Sequence, residues 1–141
     1  MRRHIGFLLK QANLLHQMQL NQIFKEFDLT ASQTFSLIYL FEAKRAQKEV
    51  NQKDIEREMD VSNPTVTGIL NRLEHKGLIE RVECPSDARV RNIVVTEKAL
   101  EIDKQLQIKF REAEDELIAS LSEKEADELQ RLLKKILHQH S

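Results

Sequence analysis

Apolar residues recur three and four apart along most of the chain, and this spacing predicts helices. Ile5, Leu8, Ala12, Leu15, Ile23 and Phe27 mark a long first helix over about 4–27. Thr30-Ala31-Ser32-Gln33 has the form of a capping box and opens a second helix, with Phe35, Ile38 and Phe41 near one face. Positions 44–49 are charged and read as a loop. Asn51 caps a short amphipathic helix to Met59, with Ile55 and Met59 facing inward. Asp60-Val61-Ser62 is a tight turn. Ser62 then caps a helix over 63–76 whose buried stripe is Val66, Ile69, Leu70 and Leu73. Pro64 sits in its first turn, where a missing N–H costs nothing, and Gly77 stops it.

Two strands follow, 78–82 and 91–95, joined by a loop over 83–90 with an arginine near its tip. Thr96 caps a long helix from 97 to about 119, striped by Leu106, Phe110, Ala113 and Leu117. Ser122-Glu123-Lys124-Glu125 forms another capping box, and Ala126, Leu129, Leu133 and Ile136 stripe the last helix. The order of parts predicts a mainly α fold: a winged helix-turn-helix with a small β wing and long terminal helices. The expected division is a winged domain over 31–96 and a helical region over 1–30 and 97–141. The narrow seams of the terminal helices exceed what a small winged domain needs for its own core. They point to association with a second copy.

Composition narrows the class. Apolar residues make up 40% of the chain, enough for a core, while only 3 Gly and 2 Pro leave little room for long loops. There is no Trp, which disfavours a stacking platform for single strands. One Cys permits no internal disulfide. The apolar run Phe7-Leu8-Leu9 is too short for a signal peptide, and no run approaches a membrane helix. A soluble, cytoplasmic protein is expected, with no membrane partner. No nucleophile elbow, phosphate-cradling glycine loop or metal-ligand spacing occurs, so neither an enzyme, a cofactor nor a metal is expected.

A helix-turn-helix followed by a wing is built to place one helix in a DNA groove and a hairpin beside it. On the helix over 63–76, stepping about 100° per residue puts Pro64, Gly68, Asn71 and His75 opposite Val66. Thr65, Thr67 and Arg72 flank them. A face of small polar residues suits close approach to base edges. Asn pairs bidentately with adenine and Arg with guanine. In the wing, Arg89 and Arg91 lie close together and Asp87 is placed to fix the direction of Arg89. A minor groove attracts such an arginine. The chain's net charge of −1 counts against DNA binding. The basic surface must therefore be local, and two copies acting together would supply the affinity. A winged-helix module that binds protein rather than DNA is the alternative.

At these residues the chain resembles the multiple antibiotic resistance regulator (MarR) family of bacterial winged-helix repressors. The resemblance rests on Asp87-Ala88-Arg89 with the strand ending Val95-Thr96 and the following Glu97-Lys98. It rests equally on Val61-Ser62-Asn63-Pro64-Thr65-Val66-Thr67 and on Leu73-Glu74-His75-Lys76-Gly77-Leu78-Ile79-Glu80-Arg81. Val95 and Ala99 depart from the family's usual Leu and Gly. The resemblance implies a homodimer joined by the terminal helices on a palindromic operator in double-stranded DNA. It implies major-groove and phosphate roles for Ser62, Thr65, Thr67, Asn71 and Arg72. It further implies that Arg89 is a minor-groove finger oriented by Asp87. Release by a small phenolic effector is also implied, in a cleft walled by the first, second and fifth helices. By helix position alone, His16, Phe41 and Phe110 are the candidates there. A redox role for Cys84 would need a cation such as Arg81 or Arg89 to lower its pKa, against Glu83.

Overall fold

The computed structural model describes residues 3–140. Its elements are α1 (Ile5–Glu26), α2 (Ala31–Arg45), α3 (Gln52–Met59), α4 (Asn63–His75), β1 (Ile79–Cys84), β2 (Asp87–Val95), α5 (Glu97–Leu117) and α6 (Glu123–Gln139). The fold is mainly helical, with one antiparallel two-stranded sheet among the described residues. No helix is long and apolar enough to cross a membrane.

Two compact units are resolved. Asn21–Ile108 forms one; the segment up to Leu20 and the segment from Lys109 form the other. The core of the first joins Leu37, Leu40 and Phe41 of α2, Ile55 of α3 and the α4 stripe Val66, Ile69, Leu70 and Leu73. Leu78, Ile79 and Ile93 close it from the hairpin side. The buried face of α2 is therefore not the one the aromatic spacing indicates. Phe41 is buried, but Phe35 is exposed and Ile38 half-buried. The inward stripe runs through Gln33, Thr34, Ser36, Leu37 and Leu40 instead. Polar members are admitted because the helix backbone satisfies them: the Thr34 hydroxyl donates to the Thr30 carbonyl at 2.9 Å and Ser36 to Ser32 at 2.9 Å. Lys44 and Arg45 extend α2 rather than opening the loop.

Local chemistry sets the element ends. Capping boxes form at Thr30/Gln33 and Ser122/Glu125, each with reciprocal side-chain and backbone bonds. Asn51 and Asp54 make a third at the start of α3. Asp60 ends α3 in the left-handed region at φ 52°, which a short polar side chain tolerates. Ser62 holds the N-cap position of α4 with extended backbone, yet its hydroxyl makes no cap bond. It lies 3.0 Å from the Thr65 hydroxyl instead. Gly77, at φ 76°, ends the helix. Its N–H donates to the Glu74 carbonyl at 2.9 Å, and that of Leu78 to Leu73 at 3.0 Å. This pair of bonds is a Schellman motif.

The same turn is held from α5. The Thr96 hydroxyl donates to the Gly77 carbonyl at 2.7 Å and Lys98 Nζ to the Lys76 carbonyl at 2.8 Å. These bonds give a physical reason for a Thr and a Lys at the strand-to-helix junction.

The second unit presents a different surface. No residue of α6 is buried. Ile5, Leu8, Leu15 and Met18 of α1 and Leu129, Leu132 and Ile136 of α6 are all exposed in the single chain.

Candidate nucleic-acid interface

The helix pair α3–α4 and the hairpin meet around a few polar bonds. Gln52 Nε2 donates to the Thr67 hydroxyl at 2.8 Å, and Asn63 Nδ2 donates to Glu56 at 3.1 Å. These bonds lock the start of α4 onto α3. Toward the other end of α4, Arg81 of β1 reaches back. One of its nitrogens lies 2.9 Å from Asn71 Oδ1 and another 3.2 Å from Glu74 Oε1.

On the outer face of α4, Ser62, Pro64, Thr65, Asn71, Arg72 and His75 are exposed. Thr67 and Gly68 are half-buried, Gly68 at the centre of this face and Thr67 at its edge. Thr67 is less free than its position implies, because Gln52 already occupies its oxygen. Asn71 keeps its amide nitrogen available while Arg81 fixes its oxygen. Such a bond orients the amide, and with it the pattern it offers to a base. A Cβ placed on Gly68 would stand 3.6 Å from Arg72 Nη1. The guanidinium therefore lies beside the glycine, and Arg72 has no ion-pair partner among the described residues.

The wing differs from its expected form. β1 runs to Cys84 and β2 starts at Asp87, so the turn is Pro85-Ser86. Glu83 pairs with Arg91 and Cys84 with Asp87, leaving Ala88, Arg89 and Val90 bulged out of the ladder. Arg89, expected in the loop, is thus a bulged residue of β2, while Arg91 is paired in the strand as expected. The Asp87 carboxylate accepts the Arg89 backbone N–H at 3.0 Å and its Nε at 3.2 Å. This folds the chain back on itself and turns the arginine outward. Its side chain is 90% exposed. A bulge beside a functional surface commonly re-aims a side chain in this way. The Arg89 side chain, and then its backbone N–H, hold the Asp87 carboxyl below the usual carboxylate range.

Sequence reasoning missed three members of this surface. Lys53, Arg81, Arg89 and Arg91, from three elements, line one cleft of about 330 Å³ with Gln52 at its edge. Lys53 and Gln52 open α3, which carries more acids than bases; summing charge over that helix hides a cation at its first turn. Arg81 lies two residues beyond the core residue Ile79 on the same face of β1, a signal that strand periodicity offers. The Cys84 thiol is drawn below its ordinary value by the Ser86 hydroxyl, 3.1 Å away. Neither Arg81 nor Arg89 contributes, and the opposing charge is Glu49 rather than Glu83.

The expected effector residues belong to both units. Phe41, 1% exposed, is enclosed in the core of the winged unit. His16 and Phe110 are half-buried in the other unit, and His16 Nδ1 lies 3.4 Å from Gln19.

Residues 29–90 match the model of the MarR family. That segment is similar to the MarR-family winged helix. The match covers α2 to the bulged part of β2, the segment that holds the polar face of α4 and Arg89. Solved structures extend the likeness to the whole chain. A mutant of MepR from S. aureus is 28% identical with a TM-score of 0.86, over 97% of this chain and 98% of that one. MarR from E. coli in its reduced form is 27% identical with a TM-score of 0.78, over 94% and 96%. A MepR–DNA complex from S. aureus is 28% identical with a TM-score of 0.74, over 96% and 99%. The Pro64–Arg72 and Asp87–Arg89 motifs both fall inside the matched segment.

Proposed function

We propose that this protein is a DNA-binding transcription regulator, acting as a homodimeric repressor on a palindromic operator and released by a small ligand. The observation that carries the reading is the convergence at one end of the winged unit. The small polar face of α4 lies on the helix that Arg81 ties to the hairpin, and that hairpin carries an outward, carboxylate-oriented Arg89 and an Arg91 with no ion pair among the described residues. A protein with a net charge of −1 concentrates cations there. A relative of similar sequence and fold, MepR, has been solved with DNA, which supports the same use of this surface.

In this reading α4 enters the major groove and Asn71 and Arg72 address base edges. Ser62, Thr65 and Thr67 hold the adjacent backbone, with Pro64 and Gly68 keeping the helix surface low. Arg89 enters the minor groove, directed by Asp87. Lys53 and Arg91 hold phosphates between them. The exposed apolar surface of α1 and α6 supports dimerisation, since a monomer rarely leaves so much uncovered. Two recognition helices spaced by about one helical turn, roughly 34 Å, would then read the two half-sites.

The test is fluorescence-anisotropy binding to DNA upstream of the protein's own gene, with a scrambled duplex as control, over a salt series. Sequence-dependent binding of one dimer per duplex is expected. Equal, weak binding to both duplexes with a steep salt slope overturns the specific reading. It leaves the protein-binding module in its place.

A further inference from the structure

We infer that the outer face of α4 offers hydrogen-bond donors only and selects guanine, because Arg81 and Gln52 engage the acceptor atoms of its polar side chains. The inference rests on the DNA-binding reading of this face and names the base edge it takes.

Arg81 is the positioning residue. Its side chain is only 18% exposed, and its Nη2 donates to Asn71 Oδ1 at 2.9 Å. A guanidinium has donors and no acceptor, so only the oxygen of an amide can face it. Turning the Asn71 amide over would set its two N–H groups against a cation. Chemistry therefore fixes the amide, and Nδ2 is the atom left for an outside partner. The bond is charge-assisted. It draws electron density through the amide, so the nitrogen donates better and the oxygen accepts a second bond less well. An adenine amino group approaching that oxygen would also meet the guanidinium. Residue type alone suggests that Asn71 pairs bidentately with adenine; its neighbour on β1 disfavours that pairing.

The neighbouring side chains carry the same sign. Gln52 Nε2 donates to the Asn63 carbonyl at 3.4 Å and to Thr67 Oγ1 at 2.8 Å. A carbonyl only accepts, which fixes the nitrogen of the Gln52 amide on that side. The Thr67 oxygen is therefore the acceptor, and its proton is the group left to give. Glu74, the one carboxylate of α4, accepts from Arg81 at 3.2 Å. Thr65, nearer the start of the helix, is engaged with Ser62 at 3.0 Å. Arg72 carries donors only and has no ion pair among the described residues. In the major groove guanine presents two acceptors, O6 and N7, and thymine presents O4. Adenine and cytosine each present an amino donor. A face of donors suits guanine first and thymine second.

The experiment selects duplexes from a randomised pool with the full-length protein and sequences the bound fraction. Asn71→Ala locates the base pair that Asn71 reads, as the position where base preference flattens. Guanine is expected there in the wild type, favoured over adenine about tenfold. Arg81→Met frees the amide and is expected to bring adenine to within about threefold of guanine at that base pair alone. An arginine that only supported the fold would lower affinity for all sequences alike and leave the preference unmoved. Asn71→Asp keeps an acceptor for Arg81 and replaces the outward donor with an acceptor. Cytosine is then expected to take the place of guanine, a result that does not depend on Arg81→Met folding. Three outcomes overturn the inference while a recovered consensus leaves the DNA reading standing: adenine preferred by the wild type at that pair, a preference unmoved in either variant that binds, or no pair flattened by Asn71→Ala. A pool with no enriched sequence overturns the DNA reading, and the inference falls with it.

Discussion

Arg89 shows how one carboxylate converts a mobile cation into a directed one. Asp87 accepts both its backbone and its side-chain N–H groups, so the arginine projects with part of its entropy already spent. Arg89→Ala is expected to lower DNA affinity about tenfold or more, read by anisotropy. Asp87→Asn should cost less, because the guanidinium stays and only its direction loosens. Its pH behaviour follows from the depressed carboxyl. A lowered folded pKa means that the pair is intact above the ordinary carboxylate value and is lost only as pH falls through the lower one. Between roughly pH 5 and 8 the affinity ratio of wild type to Asp87→Asn should therefore stay constant. A ratio that changes across that range would show that the pair titrates there. On the proposed reading Lys53 and Arg91 hold phosphates. Lys53→Gln and Arg91→Gln should each reduce the salt slope by about one without altering base preference; a changed preference would place them on bases.

At the scale of elements, Gly68 inside α4 and Gly77 just past its end are opposites. Gly77 has φ 76°, where a side chain is strained. Gly77→Ala should destabilise the protein by about 1–2 kcal/mol in thermal or urea unfolding. Gly68 lies inside α4 with ordinary room around it; its added methyl would meet only the mobile end of Arg72. Gly68→Ala should raise stability by up to about 1 kcal/mol while lowering DNA affinity, because the helix can no longer approach closely. Higher stability with unchanged affinity would remove Gly68 from the interface. The α2 helix carries a related lesson. Its aromatic residues do not mark its core face, since Thr34 and Ser36 bury cheaply by bonding within the helix. Hydrophobic periodicity has no means of seeing that compensation.

For the whole molecule, the unresolved balance is in the terminal helices. Leu129, Leu132, Ile136 and Leu137 of α6 all remain exposed in one chain, as do Phe7, Leu8 and Leu15 of α1. Removing the segment after Ser122 should yield a monomer with poor operator affinity, because two half-sites then bind without mutual reinforcement. Sedimentation is the check, and a truncated chain that still sediments as a dimer refutes it. The same exposed surface would make such a monomer more prone to aggregate if α1 alone were left uncovered.

Helix positions, the capping boxes at Thr30 and Ser122, the Asn51 cap, the Gly77 stop and the polar face from Pro64 to His75 were all legible in the sequence. Each depends on residues within about one helical turn, so spacing and side-chain type determine it. The tertiary structure alone decided how the wing is folded. Pairing Cys84 with Asp87 forces three residues out of the ladder, and that register depends on contacts between strands rather than along one. It also decided that Arg81 holds Asn71, that Gln52 occupies Thr67, and that Lys53 joins the wing arginines. Those groups are brought together by packing across sequence separations that no local pattern records.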